Sequence, residues 1–169
     1  MCYLKTSDFY YGAFLSALMN TAEINLCLFE RNKTDSRRTY RITTNKAEYT
    51  VFAKYVKPTV SRSGTTKHWV FQFSKREIER LIDVRQQSEN VRLALICTSE
   101  RLAESELALI NYEQAMDAMG VKKGIRNPRI DVLAIAGRHG LQVYGSGMDV
   151  KKEGKDNTIN ISRNEIDFL

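Results

Sequence analysis

Histidine occurs only twice in this 169-residue chain, at His68 and His139, and cysteine three times, at Cys2, Cys27 and Cys97. No two cysteines form a CxxC pair, so a zinc site lacks ligands at a workable spacing. The count is odd and the three are far apart, which argues against a disulfide framework. Cys27 and Cys97 lie in apolar runs and read as reduced core residues. No apolar run approaches the roughly 20 residues that a bilayer span needs. Met1-Cys2-Tyr3-Leu4-Lys5 lacks the basic-then-apolar layout of a signal peptide, so the expected location is cytoplasmic, with no membrane partner. No G-K-[ST] closes a Walker loop, and no dinucleotide fingerprint occurs. Neither histidine lies in a recognisable catalytic motif, which disfavours a nucleophilic triad.

What is present is an ordinary globular composition, 43% hydrophobic and 27% charged, in a chain long enough for one domain with a sizeable core. The net charge of +6 and the pI near 9.3 favour anionic partners, nucleic acid first among them.

Three strands in succession dominate the first half: Arg38 to Thr43, Glu48 to Val56 and Lys67 to Phe73. The middle one is dense in β-branched and aromatic residues, as a buried strand should be. It carries one lysine, Lys54, in an otherwise apolar run. A buried ammonium is costly unless it is paired or faces a polar pocket, so Lys54 either snorkels at a sheet edge or marks a site. Before these strands, residues 8 to 20 read as a helix with Phe9, Ala13, Phe14, Ala17 and Leu18 on one face, and Ile24 to Phe29 as a short strand. After them, Ser74-Lys75-Arg76-Glu77 matches a capping box that opens a helix to about Gln87. Val91 to Thr98 reads as a strand covered on both faces. Glu106 to Ile110 reads as another short strand, and Asn111-Tyr112-Glu113-Gln114 as a second cap, with Gly120 closing its helix. Ile130 to Ala136 and Leu141 to Tyr144 read as a β-hairpin.

The order helix, strands, helix, strand resembles the common core of the PD-(D/E)XK nuclease-like superfamily. That resemblance covers roughly residues 8 to 98. It implies a restriction-endonuclease-like fold and metal-dependent phosphodiester hydrolysis with Mg²⁺. Lys54 takes the lysine position, and Asp35 takes the upstream acid, as catalytic residue and metal ligand. Hard divalent ions want carboxylate oxygens. The chain departs from the family two residues before Lys54, where Phe52 stands in place of an acid, and this points to a degenerate active site. Glu48 lies six residues before Lys54, roughly 20 Å along an extended strand, too far to share a metal directly.

Arg37, Arg38, Arg41, Lys57, Arg62 and Lys67 flank the strands and form a candidate nucleic-acid surface. Arg138 and His139, in Gly137-Arg138-His139-Gly140 ahead of Gly145-Ser146-Gly147, form a candidate phosphate-binding neighbourhood, against a plain glycine-permitted hairpin tip. Trp69, Phe71 and Phe73 share a face, for core packing or for stacking on unpaired bases. The expected fold is α/β of the α+β kind: a mixed central sheet flanked by helices, with residues 1–120 as core and 121–169 as a basic C-terminal extension on the same domain. The expected partner is nucleic acid, DNA before RNA. A non-catalytic protein-interaction module is the alternative from another class, and a homodimer stays open.

Overall fold

The computed structural model describes residues 3–21, 24–30, 37–44, 46–59, 66–148, 158–163 and 166. The chain begins with α1 (Thr6–Thr21), then β1 (Ile24–Glu30), β2 (Arg37–Thr44), β3 (Glu48–Val56) and β4 (Thr66–Gln72). Next come α2 (Lys75–Gln87), β5 (Val91–Cys97), β6 (Glu106–Asn111) and α3 (Tyr112–Met119). The last elements are β7 (Arg129–Ile135), β8 (Gly140–Gly145) and β9 (Ile159–Ser162). The class is α+β, as the sequence implies.

The strands divide between two sheets instead of forming one central sheet. The first runs β1-β2-β3-β5-β6 and the second β4-β7-β8-β9. β1, β2 and β3 form an antiparallel meander, and β3 pairs parallel to β5. A parallel pair needs a long crossover, and here the crossover contains both β4 and α2. β4 leaves the first sheet because its partner lies far ahead in sequence: Trp69 pairs with Val132 and Phe71 with Ile130.

Alternation along the strands sorts the two cores. Phe52, Leu93, Leu95 and Cys97 point between the sheets, where Trp69, Phe71, Ile130, Val132 and Val143 meet them from the second sheet. α3 closes this layer with Ala115, Met116, Ala118 and Met119. Val51, Ala53, Ala94 and Ile96 point the other way, against Tyr10, Tyr11, Phe14 and Leu18 of α1. β5 is thus covered on both faces, as its continuous apolar run implies. Trp69 is fully buried, and its indole N–H donates to the Thr98 carbonyl at 2.8 Å, which removes the penalty of hiding that donor. Cys97 is buried and free, and burial, with the Glu106 charge second, pushes its thiol well above the ordinary range.

α1 is turned from its expected orientation. Tyr10, Tyr11, Phe14 and Leu18 face inward, while Phe9 is 55% exposed. Phe9, Ala13 and Ala17 instead line a groove of about 430 Å³ with Ile96, Leu107 and Ile166. Both expected caps are present. The Ser74 side chain accepts from the Glu77 N–H, and Asn111 does the same for Gln114; Gly120 ends α3 in the left-handed region at φ 70°.

Gly145-Ser146-Gly147 buckles the second sheet to the end of α3. Gly147 N donates to the Ala118 carbonyl at 2.8 Å, and Ser146 Oγ donates to the Met119 carbonyl at 3.0 Å. A Cβ on Gly147 would lie 2.2 Å from Gly120 Cα, whereas one on Gly12 of α1 would meet nothing within 4 Å. Gly147→Ala is therefore expected to cost about 1–3 kcal/mol by overpacking. Gly12→Ala is expected to gain roughly 0.5–1 kcal/mol from helix propensity. Urea denaturation of the two variants checks this, and equal midpoints would contradict the backbone approach.

Candidate functional site

Lys54 sits on β3, the third strand of five, with Arg37 of β2 and Leu95 of β5 as its register partners. It shares the inter-sheet side with Phe52 and is 7% exposed. Its ammonium donates to the Gln72 carbonyl at 2.6 Å and to Glu77 Oε1 at 2.7 Å, and it lies 4.8 Å from the centre of the Phe73 ring. The other oxygen of Glu77 accepts from Ser74 N at 2.8 Å and Ser74 Oγ at 3.0 Å. One carboxylate thus caps α2 and neutralises the buried lysine. Burial raises the Glu77 pKa, but the bonds from Lys54 and Ser74 outweigh it, and the carboxyl is held below its usual range.

Phe52, where the resemblance expects an acid, is 1% exposed in the inter-sheet core and lies 6.5 Å from Phe73, ring centre to ring centre. Magnesium takes near-octahedral oxygen ligation. The described residues around Lys54 offer one carboxylate, with both oxygens engaged, beside a positive charge. That set does not fit magnesium, and among the described residues no group of three His, Cys, Asp or Glu side chains could hold a metal. Asp35 and Arg62 lie outside the described residues. Glu48 pairs with Arg41 at 3.0 Å across the β2–β3 hairpin.

The other candidate cations are distributed. Arg38 holds Asp8 of α1 at 2.5 Å and lies 4.6 Å over the Tyr11 ring. Arg37 is half-buried and Lys57 is exposed. Lys67 pairs with Glu104 at 3.3 Å, both about half exposed, a contact of little energetic weight. Arg138 and His139 are exposed on the β7–β8 turn, where Gly137 takes φ 79°. The glycine cluster at 145–147 spends its backbone donors inside the fold: Ser146 N on the Arg129 carbonyl, Gly147 N on Ala118 and Met148 N on Gly145. It is a packing device, not a phosphate cradle. Trp69, Phe71 and Phe73 are core residues, at most 4% exposed, so no base can stack on them.

One cluster lies outside the expected set. His68 Nε2 is 2.8 Å from Asp131 Oδ1, and Arg129 Nε approaches Asp131 Oδ2 at 3.0 Å as an ion pair without hydrogen-bond alignment. Its signal in the sequence is a lone acid in the apolar run Arg129 to Ile135, the same kind of signal that marks Lys54.

No protein-family model, no curated protein and no solved structure matches the chain.

Removing one partner of a buried ion pair strands the other charge. Lys54→Met is therefore expected to cost about 3–5 kcal/mol. Adding Glu77→Gln to it is expected to recover most of that loss, since the amide still serves the cap and no charge is stranded. Because the Glu77 pKa is depressed by folding, its contribution is present at neutral pH. It is lost as pH falls below the unfolded value of about 4.3 toward the folded one. Urea midpoints across pH read this: the acid-side loss of stability should be shallower in the double variant than in the wild type.

Proposed function

We propose that the protein is a nucleic-acid-binding module with a nuclease-like arrangement of elements and a degenerate catalytic position. The observation that carries this reading is the charge of residues 120–148. This stretch holds five lysines and arginines, namely Lys122, Lys123, Arg126, Arg129 and Arg138, and a single acid, Asp131. Asp131 is 1% exposed and already paired with Arg129, so this stretch presents positive charge without an exposed acid. Fields of one sign on a surface attract polyanions and release counterions on contact.

The degenerate position follows from Lys54. A lysine that steadies charge on phosphorus must reach the substrate. This one is buried and holds Glu77 and the Gln72 carbonyl, and Phe52 supplies no acid. DNA is kept as the first ligand to test, with RNA beside it.

A second reading, protein binding, is favoured by the apolar groove beside α1. Phe9 and Leu102 line it and are 55% and 58% exposed. Absence of nucleic-acid binding at low salt would favour that reading.

Fluorescence anisotropy with labelled oligonucleotides tests the first. With about three phosphate contacts to a single strand, the slope of log affinity against log salt should be about −2, a roughly fifteenfold loss between about 50 and 200 mM salt. Mg²⁺ or Mn²⁺ should produce no cleavage. Metal-dependent cleavage that disappears in Lys54→Met, with folding verified, would restore the enzyme.

A further inference from the structure

The second sheet has one face in the core and one face turned outward. Ile130, Val132, Leu141 and Val143 belong to the core face. Alternation places His68, Arg129, Asp131, Gln142 and Tyr144 on the other. The residues on this outward side are exposed or half-buried, with Asp131 the exception. A carboxylate on a solvent-facing sheet reaches 1% exposure only because its neighbours lean over it. His68 bonds it from β4, Arg129 pairs with it from the same strand, and Tyr144 of β8 is its register partner. The His68 and Tyr144 rings are within 21° of parallel, with centroids 6.4 Å apart.

We infer that this outward face is a binding site for single-stranded nucleic acid, with bases stacking on His68 and Tyr144 and phosphates meeting Arg129 and Arg138. The inference rests on the nucleic-acid reading above and gives it a site and a strand type. Half-buried rings on the open face of a four-stranded antiparallel sheet offer π-faces to unpaired bases, and a duplex keeps its base faces hidden. Arg129 approaches Asp131 through Nε as an ion pair, and its terminal nitrogens have no acceptor among the described residues. The planar guanidinium fork suits a phosphate. Arg138 stands on the turn at the far end of β7, roughly 25–30 Å away along an extended chain, so cations bracket the rings. Burial first, then the Asp131 charge, pushes the Tyr144 hydroxyl up, and it stays a neutral donor at physiological pH. Asp131 is a positioning residue: its Oδ1 holds His68, its charge keeps Arg129 nearby, and it touches no ligand.

The test uses the intact protein and short mixed-sequence oligonucleotides, as single-stranded RNA, single-stranded DNA and duplex DNA, read by anisotropy at low salt. Single strands should bind more tightly than duplex. Tyr144→Ala should weaken single-strand binding by about 5- to 100-fold, and Tyr144→Phe should retain it, because the ring carries the stacking. Arg129→Gln should reduce the magnitude of the salt slope by roughly 0.7, the share of one phosphate on a single strand. Thermal melting reports folding; if Tyr144→Ala does not fold, His68→Ala and Arg129→Gln read the same face. If the wild type binds single strands and these substitutions change nothing, or if duplex is preferred, this assignment is overturned while the nucleic-acid reading stands. If the wild type binds no nucleic acid at low salt, both fall.

Discussion

The Lys54–Glu77 ion pair is the constraint around which the two sheets are arranged. It joins three pieces of chain at one point: β3 of the first sheet, the end of β4 in the second through the Gln72 carbonyl, and the N-terminus of α2. Its value is not measured by Coulomb attraction alone, since burying both charges consumes much of that attraction and a hydrophobic pair of equal volume can match it. What the pair specifies is register. Slipping β3 by one residue would carry Lys54 to the side of Val51 and Ala53, against the aromatic residues of α1 and away from Glu77. Glu77 answers the lysine only if α2 begins at Ser74, so the cap and the strand register support one another.

How far this was legible in the sequence depends on the range of the interaction. The Ser74–Glu77 and Asn111–Gln114 caps are local and could be read directly. So could the β7–β8 hairpin and the buried run of β5. The departure of β4 into a second sheet could not, because β4 and the last strand of a meander share the same alternation; what separates them is a partner some sixty residues ahead. The turn of α1 was hidden for a related reason. Its helix is apolar on two adjacent stripes, and periodicity alone does not say which one meets β3. At the candidate site, the lone lysine could be read as paired or exposed, but the identity of its partner was a tertiary fact. Glu77 was already explained by its cap, and nothing local signalled its second role.

Lys54 and Asp131, each set among apolar residues of its strand, are resolved in opposite ways. Lys54 is satisfied inside, by a carboxylate and a carbonyl, and its charge is unavailable to any ligand. Asp131 is bonded by His68 and paired in charge with Arg129, groups that remain 29% and 52% exposed at their side chains. The difference decides where chemistry can reach. An ion pair closed on itself contributes to folding specificity and to nothing outside the molecule. A buried acid that holds the partly exposed His68 ring instead lowers the entropy the ring loses on contact with a ligand, since its orientation is already set. β3 therefore has its charge turned inward. The second sheet carries cationic and half-buried aromatic groups on its outward face, and that is why the proposed polyanion site is placed there and not on β3.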